Sequence, residues 1–241
     1  MSQSHSAPLI TLRIPGDWSD PRMLIQALPE GFRLGPESLR MPDGTEVEFN
    51  PLPPDGQFPG IFKSSCRRAG RDDELAVVNR YTVNIALTGP GGSFEAALVM
   101  MQAAAAIVRA GAAGVFIDNS AVAHWGSDWI EMTEAGTPDA IMFAFVSVIR
   151  GHREIYTAGL HTLGFPDLLM YPDRDCDEPG NSIMDLAMIM PISVGSVVAD
   201  RNGVLYTGMS MTSDEFPVDS PVHNPYGRLK LVSTREIAAG N

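Results

Sequence analysis

The stretch YTVNIALTGPGGSFEAALVMMQAAAAIVRAGAAGVFI, Tyr81 to Ile117, decides the fold class. Tyr81 to Leu87 alternates as a strand, and Gly89-Pro90-Gly91-Gly92 breaks it. Ser93 is an N-cap residue, and Phe94 to Arg109 follows as a long run of helix formers. Ala97, Met101, Ala104 and Val108 share one face at helical spacing, which predicts a helix packed closely on a sheet. Gly111 and Gly114 end it, and Val115 to Ile117 reads as a short buried strand. The unit is therefore β-loop-α-β.

Outward from this unit, strands outnumber helices. Upstream, Pro8 to Ile14 alternates and Pro15-Gly16-Asp17 ends it. Pro21 to Leu28 reads as a short helix capped by Ser19 or Asp20. Leu39–Met41 and Thr45–Phe49 flank Pro42-Asp43-Gly44, a hairpin signal. Residues 51–60 hold four prolines and two glycines, a composition that predicts a loop unable to pair within a central strand. Downstream, Ser127 to Ala135 reads as an amphipathic helix with Trp129 and Met132 on one side. Ala140–Ile149 and Glu154–Leu163 read as a strand pair around Gly151-His152, with Phe165 to Tyr171 extending it. Asn181 to Met190 reads as a helix, and Ser196–Ala199, Val204–Met209 and Leu229–Val232 as strands.

Together these predict an α+β fold, a mainly antiparallel sheet with helices on one face and one βαβ unit. From residue 80 onward the order resembles a ferredoxin-like arrangement. At 241 residues the chain fits one compact domain, residues 1–241, with 1–79 and 80–241 as the alternative subdivision.

Charge narrows the partners. The net charge is −12, with −3 in residues 1–120 and −9 in residues 121–241. Such a surface repels phosphate backbones and anionic lipid, so neither nucleic acid nor membrane is an expected partner. A protein partner or a second copy of the chain is compatible with it. Two isolated cysteines, Cys66 and Cys176, make no disulfide framework or zinc site by spacing. Met1 to Leu9 is polar and lacks an apolar leader core, so a cytoplasmic protein is expected.

Several clusters are candidates for chemistry. Gly91, Gly92 and Ser93 enter a helix N-terminus and could hold an anion on free N–H groups. They lack the Lys-Ser/Thr of a phosphate loop, and a tight turn with a Ser cap is the simpler reading of them. Asp118, Ser120 and His124 are the residue types of an orienter, a nucleophile and a base, with Asn119 as a further ligand-binding candidate. No Gly-x-Ser-x-Gly elbow surrounds Ser120, and helix capping with a buried His explains the same residues. If a ligand binds, the mouth between the Gly89–Ser93 and Asp118–His124 loops is its expected place, at the edge where clefts in α/β units open. Asp173 to Glu178 is acidic, but as a calcium loop it has Glu178 where Gly is needed and Met184 where Glu is needed. Arg67 and Arg68 beside Cys66 could lower a thiol pKa. His5, His124, His152, His161 and His223 show no metal-ligand spacing, and His161 reads as mid-strand. No metal and no cofactor are expected.

The stretches Gly92-Ser93-Phe94-Glu95-Ala96-Ala97, Ala110 to Val115, Asp118-Asn119-Ser120 and Thr157 to Leu168 resemble a bacterial family known only as a domain of unknown function. The resemblance spans about residues 80–190 and implies a compact bacterial domain without assigning an activity. Two functional expectations follow. One is a non-catalytic cytoplasmic binding or interaction protein; the other is a small hydrolase or transferase built on Asp118, Ser120 and His124.

Overall fold

In the computed structural model, which describes residues 7–171, 179–189, 191–212 and 216–234, the β-α-β unit is split. Strand β5 (Val83–Pro90), helix α4 (Phe94–Arg109) and strand β6 (Gly114–Ile117) follow one another in the chain. Strand β1 (Leu9–Gly16) lies between β5 and β6 and is antiparallel to both. The boundary considered near residue 79 therefore cuts through the middle of a sheet. Strands β2 (Arg33–Leu34), β3 (Ser38–Arg40) and β4 (Glu46–Leu52) extend that sheet on one side, and β7 (Val122–Trp125) closes it on the other.

Helix α4 is the longest among the described residues, and Ala97, Met101, Ala104 and Val108 are all buried. Ser93 Oγ accepts the Ala96 N–H at 3.1 Å, supplying the expected cap. Helix α1 (Pro21–Ala27) follows β1, and helices α5 (Gly126–Ala135) and α6 (Pro138–Phe145) pack beside α4.

The sequence suggested helices on one face only, but this sheet carries them on both. Helices α2 (Phe58–Ser65) and α3 (Asp72–Arg80) lie opposite α4. Phe58, Phe62 and Val78 pack there on Phe116, Ala123 and Trp125. Alternation explains the second core. Val115 and Ile117 face α4, so Phe116 between them must face away and needs its own cover.

Pro51 is also a correction, because β4 pairs with β5 through it, Pro51 opposite Ile85. Phe49 N–H donates towards β3, to Glu37 O at 2.9 Å. Two residues on, the N–H that proline lacks would point the same way, beyond the end of β3, so no ladder bond is lost.

Residues 140–149 do not form one strand. Thr137 caps α6 by accepting from Ala140 N–H, with Pro138 in the first turn, and Ile141, Met142, Ala144 and Phe145 are buried at helical spacing. The apolar run carries no period of its own, so the Thr-Pro cap decides. The chain then enters strand β8 (Ser147–Arg150), which pairs with β9 (Ile155–Ala158).

A second sheet follows in the order β11 (Val197–Ala199), β12 (Leu205–Thr212), β13 (Arg228–Ser233), β10 (Asp167–Met170), β9, β8. Only its β10–β13 pairing is parallel. Strands after residue 80 thus divide between two sheets. Helix α7 (Pro179–Ala187) covers β8–β10, and one apolar core running from Ile10 to Leu231 joins the sheets. His161 sits not in a strand but in a 3-10 turn, Leu160–Leu163, between Gly159 and Gly164, both at positive φ. The fold is α+β. No helix among the described residues is long and apolar enough to cross a membrane.

Candidate functional site

The glycine loop is closed. Gly91 N–H donates to Pro8 O at 2.7 Å and Gly92 N–H to Thr162 O at 2.8 Å. Ser93 Oγ is occupied by the cap. A methyl group on Gly91 would come within 3.2 Å of the Ile10 side chain, Pro8 O and Thr162 O. These glycines admit neighbouring backbone, and Gly91, Gly92 and Ser93 present no free anion cradle.

Asp118, Asn119, Ser120 and Ala121 form the tight connection from β6 to β7, with Ala121 at φ 52°. The structure does not gather Asp118, Ser120 and His124 into a triad. Ser120 Oγ is buried with no hydrogen-bond partner, so no Ser–His bond exists. His124 points into the core towards α5 and α6, its Nε2 2.9 Å from Ala144 O and its ring against Trp129 and Phe143. That acceptor assigns the proton to Nε2. Burial pulls the ring down to about 4, leaving it neutral and unable to serve as a base through Nε2.

Asn119 is also structural, yet it shapes a site. Its Oδ1 accepts the Thr11 N–H at 3.0 Å, and its Nδ2 donates to Leu9 O and Pro221 O, both at 2.9 Å. His161 Nε2 lies 3.1 Å away. The side-chain amide continues the β6 ladder along β1 and fastens the loop before β13 to the first sheet.

Asp118 belongs to a different grouping from the expected one. Alternation along β1 sends Ile10, Leu12 and Ile14 into the core and leaves Thr11 and Arg13 on the opposite face. Arg13 Nε donates to Asp118 Oδ2 at 2.8 Å. Burial raises the Asp118 carboxyl and Arg13 opposes the shift. This pair floors a cleft of about 670 Å³ between the first sheet and the 218–225 loop, with Thr11, His161, Asp219 and His223 around it and Leu9 and Pro221 as apolar wall. Its size is in the range of small-molecule sites, about 300–1,000 Å³. Among the described residues, neither Arg13 Nη atom nor Asp118 Oδ1 has a hydrogen-bond partner. The cleft therefore offers a forked donor beside a carboxylate acceptor.

Sequence reasoning missed Arg13, His161 and the 218–225 loop as site elements. One signal existed, the period-two pattern that puts Thr11 and Arg13 together on the polar side of β1.

Cys66 is not activated. Arg68 makes two 3.0 Å bonds to Glu74 and a 2.7 Å bond to Asp128, while Arg67 donates to Phe143 O and Val146 O. Burial pushes the thiol up to about 12. Among the described residues no three His, Cys, Asp or Glu side chains gather as metal ligands, and the 173–178 acidic candidate, with Cys176, lies outside those residues. No family model, no curated protein and no solved structure matches this chain.

Proposed function

We propose that this chain is a non-catalytic binding protein and that the Arg13–Asp118 cleft receives a small polar ligand. The observation that carries the reading is the side-on ion pair, which commits one donor and one acceptor and leaves the rest of both groups facing the cleft. The separation of Ser120 from His124 removes the support for a hydrolase or transferase at those residues. A cytoplasmic setting fits the free thiol of Cys66.

The test is a fragment screen followed by nitrogen-15 NMR on the whole chain. Ligands are expected to move the Thr11 and Asp118 amide signals and the Arg13 Nε signal, and to be recovered unchanged. Shifts clustering away from the cleft, or chemical conversion of a bound fragment, would overturn the reading.

A further inference from the structure

We infer that the cleft selects a zwitterion, an α-amino acid or a close derivative bearing a carboxylate and an ammonium on the same carbon; this rests on the binding reading above. Arg13 and Asp118 are held side by side at 2.8 Å, with the guanidinium fork and one carboxylate oxygen both open to the same space. A forked guanidinium is matched by a carboxylate. A simple anion placed on Arg13, however, would also face Asp118 and Asp219. A simple cation placed on Asp118 would meet Arg13. Each singly charged ligand gains one attraction and suffers one repulsion at short range, where the partly buried pair is weakly screened.

A ligand carrying both charged groups on one carbon removes that conflict. Its carboxylate accepts from the Nη atoms of Arg13, and its ammonium donates to Asp118 Oδ1. The order of charges in the ligand then mirrors the order in the pair. Leu9, Val218 and Pro221 line the same cleft and offer apolar surface to the ligand's side chain. The floor is rigid, because β1 is hydrogen-bonded on both sides and Asn119 locks its start. A preorganised pair of this kind discriminates by the penalty left when one partner is missing.

Three probes of matched shape test the inference by calorimetry and NMR. They are L-leucine, 4-methylpentanoate, which lacks the ammonium, and 3-methylbutylamine, which lacks the carboxylate. L-leucine is expected to bind at least tenfold more tightly than either, with shifts at Arg13 and Asp118. Asp118→Asn should weaken L-leucine and strengthen 4-methylpentanoate, so the preference collapses. Arg13→Gln should abolish binding of both carboxylates, and Arg13→Lys, which keeps the charge without the fork, replaces it if the Gln variant does not fold. If 4-methylpentanoate binds in the cleft as tightly as L-leucine, the zwitterion inference is wrong and the binding reading stands. If none of the three binds, the inference is also wrong, and a screen without any cleft ligand would sink the binding reading with it.

Discussion

Asn224 Nδ2 donates to Asp167 Oδ2 across 2.7 Å, in the interior, tying the loop before β13 to the first residue of β10. Asp167 Oδ1 accepts from Thr157 Oγ1 and from Leu160 N–H, so one carboxyl joins β9, the 3-10 turn, β10 and that loop. Asn224→Asp would set two carboxyl groups against each other and remove the donor to Phe165 O. We expect a loss of about 3 kcal/mol at neutral pH, the scale for an uncompensated buried charge. The loss should shrink as pH falls and the pair takes up a shared proton. Urea unfolding at pH 5 and pH 7.5 measures both; an equal loss at the two pH values would contradict this account.

Asp167 and His124 pull stability in opposite directions with pH. Burial raises the Asp167 carboxyl from 3.8 to about 7, so between those values the folded chain holds a proton the unfolded chain gives up. That contribution falls as pH rises through the window. His124 is lowered from 6.5 to about 4, so the unfolded chain binds the extra proton there, and stability falls as pH drops. A tenfold difference in proton affinity between the folded and unfolded chain corresponds to about 1.4 kcal/mol. The two slopes oppose each other between about pH 4 and 6.5. His124→Gln keeps a donor for Ala144 O and should make the protein gain stability on acidification. Asp167→Asn should make it lose stability more steeply. Parallel pH profiles for the two variants would refute the assignment.

The β6–β7 turn carries two unfavourable residues that can be improved. Ala121 holds φ 52°, a left-handed conformation that costs an L-residue about 1–2 kcal/mol. Ala121→Gly should raise stability by about 0.5–1 kcal/mol after the added freedom of the unfolded chain is subtracted. Ser120→Ala removes a buried hydroxyl with no partner and should be neutral or stabilising by about 1 kcal/mol. A large loss in Ser120→Ala would mean that the hydroxyl is hydrogen-bonded in solution.

The legible and illegible parts of the molecule differ in sequence range. Helix α4 was readable because its cap, its small-residue face and its terminal glycines lie within one window. Helix α6 was not, since a continuous apolar run fits a strand or a buried helix until Thr137-Pro138 is weighed. The insertion of β1 between β5 and β6 left no local mark, because strand order is set by long-range pairing. The cleft was illegible for the same reason. Arg13 and Asp118 are 105 positions apart, and only that insertion makes them neighbours. The glycine loop misled because the pattern that opens backbone to a ligand equally opens it to Pro8 and Thr162.

Asn119 holds the Pro221 end of the loop that walls the cleft, as Asn224 holds its other end. The Asn119 amide accepts from Thr11 and donates to Leu9 and Pro221, so it stands in for a strand residue beside β1 and anchors the 218–225 wall. Asn119→Ala would take their partner from the Thr11 N–H and Leu9 O and leave Pro221 O with His161 Nε2 at 3.2 Å, and a buried group left unpaired costs about 1–3 kcal/mol. Water entering the opened space would recover part of that, so the expected loss is about 3 kcal/mol. Asn119→Asp should be no better, because a carboxylate accepts from Thr11 yet repels the Leu9 and Pro221 oxygens. The discriminating measurement is limited proteolysis read by mass spectrometry. Both variants should be cut within residues 216–227 under conditions that leave the starting protein intact, and cleft binding should fall with that cutting. If both lose stability while the segment stays protected, the wall is held by other contacts and Asn119 serves only β1.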